Sequence, residues 1–337
     1  MTMQEKEKAD VEGKSKTANC GVPKSPALAI SIASYPKRFD YCKRTLDSIL
    51  HQTAIELADA IYINIDDNLT EEDYLKYESL RKYSPKISVR VCPAKWRSAN
   101  KLIWTYKERP DDVIVCYDDD KNYPLTSLER LYEEWLKHPD CIVAEEVNPY
   151  TVDASGVKYI DDVDIKLKQR DFAKYLSNNC LFPPRCFSDL LFDHEKFMYV
   201  TQGNHDELWF WIVSTLNGVR VIGLDWTYAC YVDGIWMEEG EGDLFRINSD
   251  DAVRNGYYRR MNELFGEGML KVMMEKPVQI DFNRDNKVCI LNSLDVINEH
   301  YRPFPVEFVV DRNLRKSWTW QLERKLKEFR WYNSKII

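Results

Sequence analysis

The sequence predicts an α/β protein: a mostly parallel β-sheet with helices packed on both of its faces. Two observations carry this prediction, namely short apolar runs typical of buried strands and, between them, segments with helical spacing of apolar residues. The runs cover residues 27–33, 61–65, 87–91 and Val113–Tyr117. Strands that alternate with helices usually pair in parallel, so these four are expected in one sheet. Ligands of such sheets bind at the carboxyl ends of the strands.

The remaining elements follow from the same periodicity. Helices are expected around residues 42–50, 71–83, 101–107 and 125–136. A further strand is expected at Cys141–Ala144, and residues 148–185 are expected to be irregular. Residues 206–216 are apolar on nearly every side, which predicts a helix buried in the core.

Composition limits the classes of protein that the chain can represent. Its 337 residues can bury a large core, in one domain or in two packed lobes. No apolar run approaches the ~20 residues of a membrane-spanning helix. A net charge of -8 argues against a general nucleic-acid binder, which needs a basic surface. Nine cysteines without CxxC spacing indicate reduced thiols, so the cytoplasm is the expected compartment.

Glycine is absent between Gly21 and Gly156. The Rossmann dinucleotide motif and the P-loop both need glycines where the backbone approaches phosphate, so neither motif can occur in this sheet. A bound diphosphate would therefore be neutralised by side chains or by a metal ion.

The candidate metal site is the acidic run Asp118, Asp119 and Asp120, directly after the strand Val113–Tyr117. Adjacent carboxylates repel one another without a cation, and their oxygens are ligands that suit Mg²⁺ or Mn²⁺. The alternative is an exposed acidic turn. The position of the run at the carboxyl end of a strand favours a site.

Five sequence blocks, taken together, resemble bacterial GT-A glycosyltransferases of the family 2-like group. The blocks are SYPKR from Ser34, SANKL from Ser98, VIVCYDDDKNYP from Val113, LFPP from Leu181 and NHDELWFWIVSTLN from Asn204. Their order and spacing carry the resemblance, because a DxD motif alone is a weak signal. The resemblance covers residues 27–223 and implies a GT-A fold, with a Rossmann-like nucleotide-binding sheet.

The resemblance also implies roles for individual residues. Asp118 and Asp120 would form the DxD pair, with Asp120 as the main metal ligand and Asp118 facing the sugar or ribose. The donor-binding residues that it implies are Tyr35, Pro36, Arg38, Asp66, Lys101, Asp118 and Asp119. Asp66 would accept a hydrogen bond from the base or ribose. Arg38 could instead cap a helix, and Lys101 could be a solvated charge.

Asp206 and Glu207, at the start of the buried helix, resemble the paired catalytic acids of this group. An inverting transfer needs a carboxylate that takes the proton of the acceptor hydroxyl. We assign this role to Asp206, with Glu207 as the alternative, although acids are favoured in any first helical turn. The sequence departs from the group at His205 and at Asn178 and Asn179. His205 could be a metal ligand or a hydrogen-bonded partner.

Three other features allow more than one interpretation. Trp209 and Trp211 could stack on a sugar or belong to the core, and the cluster at residues 257–260 could contact an acceptor or form a helix surface. Residues 311–337 hold eight basic and three acidic residues, a net charge of +5. Apolar residues at helical spacing predict a basic amphipathic helix there, which would lie on an anionic membrane or pack on the domain.

The expected function is metal-dependent, inverting transfer of a sugar from a nucleotide-diphosphate donor, with UDP favoured. The expected acceptor is a glycan or lipid-linked glycan of a capsule, lipopolysaccharide or other surface polysaccharide. The chain would comprise a disordered leader (residues 1–26), a catalytic domain (27–225), an acceptor-side region (226–310) and the basic helix (311–337). It would be cytoplasmic or peripheral on the inner face of the cell membrane. The alternatives are a catalytically silent glycan-binding relative and a sugar nucleotidyltransferase.

Overall fold

The computed structural model describes residues 26–145, 147–148, 150–153, 156–159, 174–175, 179–224, 230–231 and 244–275. Residues 1–25 of the predicted leader and the whole of the predicted basic helix at 311–337 lie outside these ranges.

The strands are β1 (Leu28–Ser34), β2 (Ala58–Asp66), β3 (Ile87–Cys92), β4 (Val113–Tyr117), β5 (Lys121–Asn122), β6 (Cys141–Ala144), β7 (Val147–Asn148), β8 (Tyr150–Asp153), β9 (Gly156–Tyr159), β10 (Lys174–Tyr175), β11 (Asn179–Phe182), β12 (Arg220–Gly223) and β13 (Cys230–Tyr231). The helices are α1 (Phe39–Leu50), α2 (Glu71–Glu78), α3 (Asn100–Glu108), α4 (Ser127–Lys137), α5 (His194–Thr201), α6 (Asp206–Leu216), α7 (Leu244–Ser249) and α8 (Asp251–Glu275).

A seven-stranded sheet forms the centre of the fold, in the order β12-β6-β11-β4-β1-β2-β3. The four strands first predicted from the sequence are neighbours in it and pair in parallel. β12 pairs in parallel with β6, and β11 runs antiparallel to both β4 and β6. The prediction of a mostly parallel α/β sheet is therefore confirmed.

The strand β11 contradicts the expectation that residues 148–185 are irregular. All four of its residues are buried, and it lies in the middle of the sheet between β4 and β6. Its apolar run is only Cys180–Phe182, between Asn179 and Pro183, whereas the predicted strand Cys141–Ala144 is apolar throughout, so β11 gives the weaker strand signal in the sequence. Its conformation is fixed by pairing on both sides, which sequence reasoning does not reveal.

Side chains of β4 alternate between two cores, one on each face of the sheet. Val113, Val115 and Tyr117 pack with residues of α1 and α4, whereas Ile114 and Cys116 pack with residues of α3 and α6. This alternation follows from the period of two in a strand, and it places helices on both faces as predicted.

The helix α6 begins and ends where the sequence predicted and is buried along almost its whole length. The long helix α8 packs against it through Tyr257, Met261 and Met269, which belong to the same core. In the described part of the chain, no helix is both long enough and apolar enough to cross a membrane. The six cysteines whose side chains are described are buried and free of disulfides.

Candidate active site

The carboxyl ends of β1, β2 and β4, together with the start of α6, form one edge of the fold, which we call the site edge. The acidic run at residues 118–120 follows β4 directly. Tyr123 fixes the turn, since its hydroxyl accepts a 2.9 Å hydrogen bond from the backbone N–H of Asp118. β1 neighbours β4 and ends at Ser34, so the acidic run lies beside the loop that contains Arg38.

Asp118 is held between two lysines. Nζ of Lys101 lies 3.1 Å from its Oδ1, and Nζ of Lys121 lies 2.8 Å from its Oδ2. Burial alone would raise the pKa of Asp118, but the two positive charges outweigh burial and hold the pKa below its ordinary value. Asp118 is therefore ionised at neutral pH.

Arg38 joins the other two acids of the run. Its Nη1 donates to Oδ1 of Asp119 at 2.8 Å and to Oδ2 of Asp120 at 3.0 Å, while Oγ of Ser34 donates to Asp119 at 2.6 Å. Burial raises the pKa of Asp119 to about 6, although Arg38 acts in the opposite direction. Side-chain exposure is 17% for Asp118, 6% for Asp119 and 15% for Asp120. Asp118 and Asp120 are thus partly open to solvent. Asp119 is buried and holds Arg38 in position through their ion pair.

The first turn of α6 brings a second pair of acids to Lys101. Nζ of Lys101 lies 2.9 Å from Oδ2 of Asp206, and Oγ of Ser98 donates a 2.9 Å hydrogen bond to Oδ1 of the same carboxylate. Burial, followed by the charge of Glu207, raises the pKa of Asp206 to about 6, against the effect of Lys101. Nδ1 of His205 lies 2.9 Å from Oε2 of Glu207. Lys101 therefore links the acids after β4 with the acids of α6.

The predicted nucleotide side of the site edge holds a carboxylate and an exposed ring. Asp66, the last residue of β2, accepts a 2.9 Å hydrogen bond from Nδ2 of Asn100, and burial raises its pKa to about 6. Pro36 opens a short turn that ends at Arg38, whose guanidinium lies 5.5 Å from the centre of the Tyr35 ring. The Tyr35 ring itself is exposed.

The geometry favours one of the two open sequence interpretations for each of several residues. Lys101 is buried between two carboxylates and is not a solvated charge. Trp209 and Trp211 are fully buried, so the core interpretation holds for both. His205 contacts Glu207, as expected for a hydrogen-bonded partner.

The cluster at residues 257–260 divides between core and surface. Tyr257 and Tyr258 are buried, and Nε of Arg260 donates a 3.1 Å hydrogen bond to the backbone oxygen of Val200 in α5. Arg259 is exposed and pairs with Glu263 on its own helix. Most of the cluster therefore attaches α8 to the domain.

A divalent cation suits the chemistry of the site edge, but the protein alone does not complete its ligand set. The candidate ligands are hard carboxylate oxygens of the kind that Mg²⁺ and Mn²⁺ prefer. Among the described residues, no three His, Cys, Asp or Glu side chains are arranged to hold a metal. Asp118 and Asp120, both partly exposed, can supply one or two ligands, which leaves further positions for a diphosphate and water.

Sequence reasoning missed three residues that organise the site. Ser34 and Ser98 lie within the blocks that carry the resemblance, but a serine hydroxyl gives no signal of its own in a sequence. Lys121 directly follows the acidic run. The need to balance three adjacent carboxylates was the signal that could have identified this lysine as their partner. The pairing of Lys121 with Asp118 supplies part of that balance.

The comparison with protein families agrees with this architecture. The family model described as glycosyl transferase family 2 matches residues 30–195, from β1 to the start of α5. Together with the seven-stranded sheet, the match identifies the chain as a glycosyltransferase with a GT-A fold. Within that class it is a family 2-like enzyme. No curated protein matches the sequence.

Solved structures with a similar chain trace share little sequence with it. Residues 1–349 of TarS from S. aureus are 12% identical over 70% of this chain and 72% of that chain, with a TM-score of 0.43. The TarS complex with UDP is 13% identical over 61% and 60%, with a TM-score of 0.42. The mannosyltransferase PcManGT from Pyrobaculum calidifontis, solved with GDP-Man and Mn²⁺, is 11% identical over 76% and 67%, with a TM-score of 0.43.

Proposed function

We propose that this glycosyltransferase moves a sugar from a nucleoside-diphosphate donor to a glycan hydroxyl, with inversion and with a divalent metal. The observation that carries the proposal is the position of Lys101. Its ammonium lies 3.1 Å from Asp118 and 2.9 Å from Asp206, two acids from distant parts of the sequence. Asp118, which is proposed to help bind the metal at the leaving group, and Asp206, which is proposed to accept the proton, are therefore held around one cation.

Asp206 is the proposed base. It would take the proton of the acceptor hydroxyl while that oxygen bonds to the anomeric carbon and the bond to the diphosphate breaks. A base works best when its pKa lies near the working pH, and the pKa of Asp206 is raised to about 6. Ser98 fixes the orientation of the carboxylate through Oδ1. Glu207, whose side chain is 16% exposed against 3% for Asp206, is the alternative base.

Asp120, with Asp118, would hold Mn²⁺ or Mg²⁺. When bound, the metal would supply positive charge to the departing diphosphate. On the nucleotide side, Tyr35 and Asp66 would contact the base and ribose, and a UDP-sugar is the favoured donor. Arg38, a donor-binding residue implied by the resemblance, would be held in position by its ion pairs with the acidic run.

We also propose a lipid-linked or surface glycan as the acceptor, and a location in the cytoplasm or on the inner face of the cell membrane. The acceptor proposal rests on the resemblance alone. The cytoplasmic location rests on the reduced thiols expected from the cysteine spacing, and the membrane surface on the basic segment at residues 311–337. The match to a transferase family favours sugar transfer over nucleotidyl transfer.

A screen of donors in the presence and absence of Mn²⁺ tests the proposal. A bound donor raises the melting temperature by mass action, so we expect one class among UDP-, GDP- and TDP-sugars to stabilise the protein, and more strongly with Mn²⁺. A CMP-sugar, which carries a single phosphate, should not stabilise it. Metal-dependent hydrolysis of that donor should follow, and NMR of a transfer product should show the inverted anomer. Stabilisation by no donor would contradict the proposal. Binding without hydrolysis or transfer would instead indicate a silent relative.

A further inference from the structure

Arg97 has a backbone conformation that residues with a side chain rarely adopt. Its φ of 49° and ψ of -131° correspond to the first central position of a type II′ turn, where glycine is the usual residue. No glycine occurs between Gly21 and Gly156, and the chain places an arginine here instead. Backbone strain of this kind concentrates at functional sites, where the surrounding structure holds it in place.

The residues on either side of Arg97 are both anchored. Trp96 is buried, with its ring centre 5.3 Å from that of Phe197. Ser98 donates its hydroxyl hydrogen bond to Asp206. Because one neighbour is fixed in the core and the other on the proposed base, the strained turn directs Arg97 outward, where its side chain is exposed.

The Arg97 side chain lies between the two halves of the site edge. Its Nη1 donates a hydrogen bond to Oδ1 of Asn204, just before the first turn of α6. A Cβ atom built on Gly203 would lie 3.6 Å from Cδ of Arg97, so the side chain runs closely over that glycine. The positive charge of Arg97 also acts on Asp66 at the end of β2. The guanidinium is therefore placed between the predicted nucleotide side and the proposed base.

Arg97 differs from the other cations of the site edge in what it contacts. Arg38, Lys101 and Lys121 each face carboxylates. The hydrogen-bond partner of Arg97 within the described ranges is an uncharged amide, that of Asn204. Arg97 thus forms no ion pair with a carboxylate of the described residues, although its charge acts on Asp66 at longer range. A planar guanidinium pairs well with phosphate oxygens.

We propose that Arg97 binds the diphosphate of the donor. This inference rests on the proposed function and adds to it a residue that the resemblance did not assign. The turn conformation would be retained, despite its strain, because it holds the guanidinium between Asp66 and the start of α6.

Arg97→Gly is the decisive variant, because it removes the guanidinium and supplies the residue that the turn favours. Binding of UDP, GDP, uridine and guanosine would be measured by calorimetry at a fixed Mn²⁺ concentration. Hydrogen bonds to charged groups are worth about 1.5–3 kcal/mol, so we expect the Kd of the bound nucleoside diphosphate to rise about tenfold or more. The affinity for the matching nucleoside should not change, and the melting temperature should stay equal or rise.

Two further variants control for charge and for location. Arg97→Lys keeps the charge without the planar fork and should lose part of the diphosphate affinity. Lys95→Gln removes an exposed cation two residues away and should leave binding within about twofold.

The outcomes separate this inference from the proposed function. Equal diphosphate affinity in Arg97→Gly and the parent would overturn the inference alone. An equal loss of affinity for the diphosphate and the nucleoside would also overturn it, because a structural defect would then be the cause. A parent that binds neither UDP nor GDP, nor any other nucleoside diphosphate, would overturn the proposed function, and this inference with it.

Discussion

Nζ of Lys101 lies 2.9 Å from Oδ2 of Asp206, and both side chains are buried. Burial alone would lower the pKa of Lys101, but the surrounding carboxylates outweigh burial and raise the pKa well above its ordinary value. The lysine is therefore charged, and its charge compensates the buried carboxylates of Asp118 and Asp206. Removing either member of such a buried pair leaves the other uncompensated.

Lys101→Met should destabilise the fold strongly, because it leaves Asp118 and Asp206 without their shared cation. Loss of one partner of a buried ion pair costs about 3–5 kcal/mol, and we expect a loss of that order in the free energy of unfolding, measured with urea. Lys107→Met, at an exposed position of the same helix, should change it by less than about 0.5 kcal/mol. A loss equal to that of the control would show that Lys101 is not needed for this balance.

Asp206→Asn keeps the shape of the side chain and removes its basicity. We expect kcat to fall roughly 10²-fold or more with donor affinity nearly unchanged, since the base acts in the chemical step. The measurement is steady-state transfer together with nucleotide binding. Glu207→Gln is the matched comparison, and a severe loss in that variant alone would move the base to Glu207. Normal rates in both variants would contradict the assignment of the base to this pair.

Asp120→Ala should abolish transfer and the Mn²⁺ dependence of nucleotide binding, because its carboxylate is proposed to bind the metal. Its partly exposed position predicts little change in melting temperature. Asp111→Ala is a suitable control, since this exposed acid lies just before the same strand at its other end. If calorimetry gives Asp120→Ala and the parent equal metal-dependent affinities, Asp120 is not the ligand.

The folded protein should become less stable as pH rises through about 6. Asp119 and Asp206 have pKa values raised to about 6, from ordinary values near 3.8. The folded state therefore binds more protons than the unfolded state between these values, and its stability falls with rising pH in that window. Asp118, whose pKa is lowered, does not titrate there. We expect the gain in melting temperature from pH 7.5 to 5.5 to be smaller in Asp119→Asn than in the parent, and an unchanged gain would contradict this.

Deletion of residues 312–337 should abolish sedimentation with anionic liposomes while donor hydrolysis is preserved. Each basic residue near an anionic surface contributes about 1 kcal/mol, which salt weakens. Binding of the parent should therefore fall as salt is raised. Unchanged vesicle binding after truncation would reject the membrane role, and an insoluble product would favour a helix packed on the domain.

Much of the fold could be predicted because uninterrupted apolar runs determine it locally. Val113–Tyr117, Cys141–Ala144 and Asp206–Leu216 have the bounds that the sequence predicted. The strand β11 was not predicted, since only Cys180–Phe182 is apolar there, between Asn179 and Pro183. The site, like the fold, has parts that the local sequence predicts and parts that it does not. The acids could be named from motifs, but the position of Lys101 between two of them depends on contacts between distant segments. The turn at Arg97 was missed because sequence reasoning expects glycine in that conformation.

The antiparallel strand β11 also sets the order in which the sheet can be assembled. β4 and β6 both precede it in the chain, so one edge of β4 and both edges of β6 stay open until residues 179–182, and then β12, pair with them. A ribosome-bound or truncated chain that ends before residue 179 would expose these edges of two apolar strands, which favour pairing with other chains. The amino-terminal half of the domain is therefore expected to aggregate when it is expressed alone, because β6 can join the sheet only after β11 has been made.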